Sequence, residues 1–249
     1  MCSVAEVEKL TANFDFMAFK FNTSLQRETP VVFNLLIINV LVYLAQVLVK
    51  PFDVTQWGAL HSVSSSLFYP HQFITNMFMH DPGGLSHILF NMFTLWMFGT
   101  HLERHLGSKR FLIFYMICGV GAAICIQLSI PFSAGQFAKS AEGIATGMST
   151  SELVEAYKQQ YSAIGASGAI MGVMAAYAYL FPNTEMYVYF IPIPIKAKFV
   201  IPFFILLDLF MGVRQIAGDN VGHFAHLGGA LVGFLLIVFW NKTNRKTFY

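Results

Sequence analysis

Residues 221–240 read VGHFAHLGGALVGFLLIVFW, a stretch of 20 residues in which two histidines interrupt an otherwise apolar sequence. A helix that crosses the hydrocarbon core of a bilayer needs about 20 mostly apolar residues, so this stretch is long enough to span a membrane. Imidazole groups are costly inside a membrane, so His223 and His226 mark a candidate functional site. The stretch therefore predicts a helical membrane protein and indicates where its chemistry lies.

Five further stretches have a similar apolar composition. They are residues 31–49, 85–100, 110–130, 163–181 and 198–213. Over the whole chain 56% of the residues are hydrophobic and 11% are charged, whereas about 25% of a soluble domain is charged. A soluble fold of 249 residues could not hide so much apolar surface. We therefore predict an all-α membrane protein built as a bundle of six transmembrane helices.

The distribution of positive charge orients this bundle, because cytoplasmic loops are enriched in Lys and Arg. Eleven of the 15 Lys and Arg residues lie in the two terminal segments or in the links after the second and fourth spans, and four lie in the other links. This asymmetry predicts that both termini are cytoplasmic. The expected organisation is a cytoplasmic segment over residues 1–30, a six-helix domain over 31–240 and a cytoplasmic tail over 241–249.

The most polar residues of the predicted spans lie at one depth. His87 and Asn91 belong to the second span, Ser167 to the fourth and His226 to the sixth. With a cytoplasmic N-terminus these three helices run in the same direction, and each polar residue lies near the start of its helix. We expect the four side chains to meet a turn or two below the outer surface.

Their chemistry is that of a nucleophile, a base and two hydrogen-bond donors. A serine hydroxyl attacks only when a neighbouring base takes its proton, and neutral imidazole suits that task near pH 7. Ser167 lies at a predicted helix start, where free backbone N–H groups favour an oxyanion. His87 and Asn91 are spaced i, i+4, so they face the same way and can complete an oxyanion hole. We predict a Ser167–His226 dyad with no metal and no cofactor.

Small residues permit the close helix packing that such a dyad needs. Gly165 and Gly168 flank Ser167, and Gly229 and Gly233 follow the histidine of the sixth span. Glycines four residues apart are typical of faces on which membrane helices approach closely. We predict that these glycines pack the fourth span against the sixth.

Two acidic residues lie near the same level, Asp208 in the fifth span and Asp219 before the sixth. Asp208 is a candidate to orient a histidine, but we interpret it chiefly as a local cap or anchor, so the predicted catalytic unit remains a dyad. His223 is interpreted chiefly as a structural donor, with a second base and a proton relay as the alternatives.

Three motifs together resemble the rhomboid intramembrane serine proteases. They are HILFN at 87–91 (HxxxN), GASG at 165–168 (GxSG) and AHLGGALVG at 225–233 (AHxxGxxxG). The pair Glu103-Arg104 after the second span also looks like an acidic–basic pair of that family. The resemblance covers roughly residues 30–240.

The resemblance implies a six-helix bundle with a water-filled cavity open to the outer side. In such a bundle Ser167 is the nucleophile and His226 the general base and later acid, while the Ser167 N–H, His87 and Asn91 bind the oxyanion. Residues 50–84 are expected to form a membrane-embedded loop and the fifth span a lateral gate. The implied partners are transmembrane protein substrates within a lipid bilayer.

The surroundings of the dyad are expected to control water access and ring orientation. A polar rim of His80, Ser86 and His223 would supply the water path. Met171 stands four residues after the serine, where some family members place a tyrosine whose ring stacks on the catalytic histidine. A thioether contacts an imidazole edge but orients the ring less firmly.

The predicted localisation is a multi-pass protein whose active site faces the extracytoplasmic side. The absence of a recognisable transit peptide and the compact six-span form favour a bacterial plasma (inner) membrane.

Three alternatives compete with the interpretation as a protease. They are a catalytically dead relative that binds transmembrane clients, a metal-dependent membrane protein using His87, His223 and His226, and a small-solute channel or transporter. A net charge of +2 without a basic patch speaks against nucleic-acid binding.

Overall fold

The computed structural model describes residues 25–49, 51–139, 147–187, 193–214 and 222–243, and most of them are helical. The helices are α1 (Pro30–Leu48), α2 (Val54–Gly58), α3 (Gln72–Thr75), α4 (Leu85–Thr94), α5 (Thr100–Leu106), α6 (Ser108–Lys139), α7 (Thr150–Gln160), α8 (Ser167–Leu180), α9 (Ala197–Arg214) and α10 (His223–Thr243). A 3-10 turn covers Asn76–Phe78, and a π-helical turn over Leu95–Gly99 joins α4 to α5.

Two small antiparallel ladders accompany the helices. Strand β1 (Leu60–His61) pairs with β2 (Ser162–Ala163), and β3 (Glu185–Met186) pairs with β4 (Ile195–Lys196). Most of the predicted N-terminal segment, the end of the predicted tail and Asp219 lie outside the described residues.

A helix is present at each of the six predicted apolar segments. Among the described residues three helices, α1, α6 and α10, are long and apolar enough to cross a membrane, and α8 is a shorter apolar helix. Two boundaries differ from the prediction. Helix α6 continues through Pro131 to Lys139. Helix α8 begins only at Ser167, because residues 162–163 pair as strand β2 and Gly165 has a φ of 128° that a helix does not allow.

The outer face of the bundle is apolar. Large hydrophobic side chains are exposed on most of the helices, and so much exposed apolar surface is rare on soluble monomers. Examples are Leu41 on α1, Leu89 on α4, Leu128 on α6, Phe203 on α9 and Phe239 on α10, each at least 60% exposed. Such an apolar surface is suited to direct contact with the hydrocarbon chains of lipids.

Helices α8 and α10 make the closest pairing among the described helices. A Cβ added at Gly233 would lie 2.5 Å from the Cα of Gly172, and one added at Gly229 would collide with the carbonyl oxygen of Gly168. Any larger residue would therefore separate the two backbones. This close approach brings the first turns of α8 and α10 side by side.

The segment between α1 and α4 is folded against the bundle and helps to position the start of α8. The side chain of Gln72 is fully buried; its Oε1 accepts the His61 N–H and its Nε2 donates to the Leu67 carbonyl. The Asn76 carbonyl accepts the N–H of Gly165 at 2.9 Å. This segment thus holds the turn that precedes Ser167.

The N-terminus of α1 is capped by a residue from a distant helix. The carboxylate of Glu103, in the middle of α5, accepts the N–H groups of Val31 (3.0 Å) and Val32 (2.8 Å) and the hydroxyl of Ser108 (2.7 Å). Glu103 is only 1% exposed, so three hydrogen bonds compensate the burial of its charge.

Candidate active site

Ser167 and His226 are in direct contact. Ser167 is the first residue of α8, and its Oγ lies 2.8 Å from Nε2 of His226 in the first turn of α10. This distance is that of a hydrogen bond between a hydroxyl and an imidazole. A serine in this geometry can pass its proton directly to the ring.

Asp208 of α9 joins this pair from the far side of the imidazole. Its Oδ2 lies 3.1 Å from Nδ1 of His226, and its Oδ1 lies 2.7 Å from Nδ1 of His223. The three side chains are 11–17% exposed. Both oxygens of Asp208 thus bind histidines of another helix, as one of the two interpretations of this residue from the sequence requires.

His87 and Asn91 lie on the facing helix, α4. The backbone N–H of Asp81 donates to His87 Nδ1 at 3.2 Å, so in the neutral ring the proton is carried by Nε2. Asn91 is largely buried, and its Nδ2 donates to the His87 carbonyl at 2.8 Å. In this arrangement the ring of His87 is held as an Nε2–H donor.

One cavity of about 330 Å³ brings all four predicted site residues together. Its lining residues are Ser86, His87, Phe90, Asn91, Thr94, Ser167, Ile170, Met171, Met174 and His226. Met171 thus lines the same cavity as His226. Besides these polar groups, Phe90, Ile170 and the two methionines give the cavity an apolar wall that suits a hydrophobic segment.

Gly165 has a different place from the packing glycines Gly168, Gly229 and Gly233. It precedes α8, and its φ of 128° is a conformation that L side chains rarely adopt. A Cβ at this position would lie 3.1 Å from His87 Nε2 and 3.5 Å from Ser167 Oγ. Gly165 therefore keeps open the space between the serine and the donor on α4.

The expected polar rim is only partly present. Ser86 is exposed and lines the cavity, and His223 binds Asp208. His80 is fully buried, and its ring centre lies 5.2 Å from that of His87. Burial, with a smaller contribution from the neighbouring His87, lowers the pKa of His80 to about 4. The expectation that His80 lies on an open rim is wrong.

One group of side chains has the composition of a metal site. Ligand atoms of Asp208, His223 and His226 lie within 4.8 Å of one another. Two imidazoles and a carboxylate are suitable ligands for Zn²⁺. The same three groups are already joined by the hydrogen bonds described above, so their proximity does not require an ion.

Comparison with known proteins identifies the family. The Rhomboid domain model matches residues 64–242, which include every predicted site residue and the cavity between α4 and α8. The chain belongs to the Rhomboid family. It is accordingly a membrane-embedded helical protein, as its apolar composition predicts.

This rhomboid chain is similar to proteins from plants, fungi and bacteria. It is 27% identical to RHOMBOID-like protein 12, mitochondrial, of Arabidopsis thaliana over 184 residues, which are 72% of this chain and 48% of that protein. It is 31% identical to Rhomboid protease GluP of Bacillus subtilis over 61% of this chain and 22% of that protein. With Rhomboid protease GlpG of Yersinia pseudotuberculosis the identity is 21% over 94% of this chain and 71% of that protein.

The rhomboid chain spans about half or less of the length of several curated relatives that it matches. Their names place some of these relatives in mitochondria or chloroplasts. The expectation of a bacterial inner membrane therefore gains no support from them.

Proposed function

We propose that this chain is an intramembrane serine endopeptidase that cleaves the transmembrane segments of other proteins. The observation that carries the proposal is the 2.8 Å contact between Ser167 Oγ and His226 Nε2 beside an apolar-walled cavity. Two relatives named as rhomboid proteases share the family. A binding protein without catalytic activity would have no need of a serine held on a histidine.

The first half of the reaction forms an acyl-enzyme. His226 Nε2 takes the Ser167 proton as Oγ attacks the carbonyl carbon of the scissile peptide bond. The Ser167 N–H, the Nε2–H of His87 and the Asn91 amide stabilise the resulting oxyanion, and one such donor is typically worth about 3 kcal/mol in the transition state. The tetrahedral intermediate collapses, the C–N bond breaks, and His226 returns the proton to the leaving amine.

The second half releases the other product. Water gives a proton to His226 Nε2 and attacks the ester carbonyl, and the same donors hold the oxyanion. The C–O bond to Ser167 then breaks, and the proton passes from His226 back to Oγ. Serine and histidine are thereby restored, and the net reaction consumes one water per peptide bond, with no metal or cofactor.

We further propose that all six predicted segments cross the membrane with both termini cytoplasmic, and that α9 acts as the lateral gate. The charge asymmetry of the loops supports this orientation. Ser167 and His226 lie in the first turns of α8 and α10, which in this orientation begin at the outer surface. Cleavage is then expected near the extracytoplasmic face.

Cleavage of a fluorogenic substrate with a single transmembrane segment, reconstituted with the protein in lipid vesicles, tests the proposal. We expect the wild type to cleave it and Ser167→Ala to lose activity, with kcat reduced by at least about 10³-fold. Ser129→Ala is the matched control, because the Ser129 hydroxyl donates to the Ile126 carbonyl of its own helix at 2.8 Å. This variant is expected to keep the wild-type rate.

A chelator added to the same assay separates the serine protease from the metal-dependent alternative. The serine mechanism predicts an unchanged rate with EDTA. Loss of activity that Zn²⁺ restores, with normal cleavage by Ser167→Ala, would instead assign the reaction to the Asp208, His223 and His226 cluster.

A further inference from the structure

We propose that Asp208 is a positioning residue for His226, so that the catalytic unit is a Ser167–His226–Asp208 chain of hydrogen bonds rather than a dyad. The inference rests on the proposed protease function and adds to it a residue from a third helix. His223 supports Asp208 by binding the second oxygen of its carboxylate.

The geometry is continuous from the nucleophile to the carboxylate. Ser167 Oγ is 2.8 Å from His226 Nε2, and His226 Nδ1 is 3.1 Å from Asp208 Oδ2. The two ring nitrogens of His226 are thus engaged on opposite sides, one by the nucleophile and one by the acid. Since the imidazole is bonded at both ends, its plane is held toward the serine.

The carboxylate also determines which nitrogen of His226 is the base. An ionised carboxylate only accepts hydrogen bonds, so the Nδ1 atom facing Asp208 must carry the proton. In a neutral imidazole the other nitrogen then carries the lone pair. Asp208 therefore directs the basic nitrogen, Nε2, at Ser167, and its negative charge stabilises the imidazolium that forms when the serine loses its proton.

His223 has the position needed to orient the carboxylate. It lies one turn before His226 on α10, and its Nδ1 is 2.7 Å from Asp208 Oδ1. Since each oxygen of Asp208 binds a different histidine, rotation of the carboxylate would break one of the two hydrogen bonds. Besides Ser167 and these two partners, the titratable group that shares the cavity with His226 is His87 of α4.

A purely structural role predicts different behaviour. Asp208 links α9 to α10, and such a link could serve only to hold the helices together. In that case the two hydrogen bonds would contribute in the same way, and loss of either would lower stability and activity together. A positioning role predicts that the bond to His226 matters for turnover more than the bond to His223.

Steady-state cleavage in lipid vesicles, with kcat and KM determined separately, tests the inference. Asp208→Asn is expected to lower kcat by at least tenfold, and up to the order of 10⁴-fold, with KM within about twofold of wild type. Asp208→Glu keeps a carboxylate and is expected to recover part of the lost kcat. His223→Gln is expected to lose less kcat than Asp208→Asn. Thermal unfolding in detergent reports whether each variant is folded.

The outcomes separate this inference from the proposed function. If the wild type cleaves, Ser167→Ala does not, and folded Asp208→Asn keeps the wild-type kcat, the positioning role is wrong while the protease stands. Equal losses of kcat and of thermal stability in Asp208→Asn and His223→Gln, without rescue by Asp208→Glu, would also overturn it. If Asp208→Asn does not fold, Asp208→Glu decides: a reduced kcat at unchanged KM supports the role and a wild-type kcat contradicts it. Normal cleavage by Ser167→Ala would remove both proposals.

Discussion

At Gly165 both the backbone conformation and the space of the proposed active site favour a glycine. Its φ is 128°, and an added Cβ would lie 3.1 Å from His87 Nε2. Gly165→Ala is therefore expected to lower kcat/KM by at least about tenfold, because the alanine is strained and its methyl group enters the space proposed for the oxyanion. Cleavage in lipid vesicles measures the effect.

Gly135→Ala provides the control for this substitution. Gly135 lies within α6, and a Cβ there meets nothing within 4 Å, so the variant is expected to cleave at the wild-type rate. Equal activity of both alanine variants would mean that the space beside Gly165 has no part in the reaction.

His80 is expected to make stability depend on pH. Burial lowers its pKa to about 4, below the value of about 6.5 of an exposed imidazole. Between these two pH values the unfolded state binds a proton that the folded state does not, so stability is full above about pH 6.5 and falls as the pH drops toward 4. A shift of this size corresponds to about 3 kcal/mol.

Thermal unfolding in detergent between pH 7 and 4, comparing wild type with His80→Gln, measures this contribution. The variant should lose stability less steeply than the wild type over that range, because its amide does not titrate. Identical slopes would show that the folded protein accommodates a charged His80.

Residue spacing was sufficient to predict part of the site but not all of it. The i, i+4 relation of His87 and Asn91 and the small residues around Ser167 and His226 predict which side chains meet, and all four line one cavity. The contact of Asp208 with His223 and His226 could not be predicted in this way. Its contact with two histidines depends on the rotation of α9 about its own axis, and hydropathy does not report that rotation.

At the scale of elements, Glu103 supplies hydrogen-bond acceptors for N–H groups in the first turn of α1, which have no acceptor within their own helix. It accepts the N–H groups of Val31 and Val32 while buried. Glu103→Gln is expected to lower the free energy of unfolding by about 1–3 kcal/mol, because the amide has one acceptor where the carboxylate has two. Thermal unfolding in detergent measures the loss.

The adjacent residue is a matched control. Arg104 binds Glu28 at 2.9 Å on the surface, where both side chains are about half exposed, so Arg104→Gln should cost less than about 1 kcal/mol. Equal destabilisation by the two variants would contradict the capping role of Glu103.

The helices themselves were largely predictable, because apolar runs of this length are typical of helices that cross a membrane. The exceptions have local causes. Helix α8 starts late because the chain before it pairs with β1 and turns at Gly165. Helix α7 lies in the link between the third and fourth predicted spans, where no apolar run marks it, and it starts from the capping box of Ser149 and Glu152.

At the scale of the whole molecule, many large apolar residues face outward and the polar cluster lies between helices. A charged or strongly polar group inside a membrane is tolerated when it faces other protein groups or water. The hydrogen-bonded cluster of Ser167, His226, Asp208 and His223, together with the adjacent cavity, meets that condition. The close packing of α8 on α10 is the feature of the fold that makes this cluster possible.

Labelling with a serine-reactive fluorophosphonate tests the central claim, an activated nucleophile at Ser167, most directly. The probe is applied to detergent-solubilised, folded wild type and to Ser167→Ala, His226→Ala and Ser129→Ala. The account predicts covalent label on the wild type and on Ser129→Ala, and none on the other two variants. Folded wild-type protein that takes no label, or Ser167→Ala labelled as fully as the wild type, would contradict it.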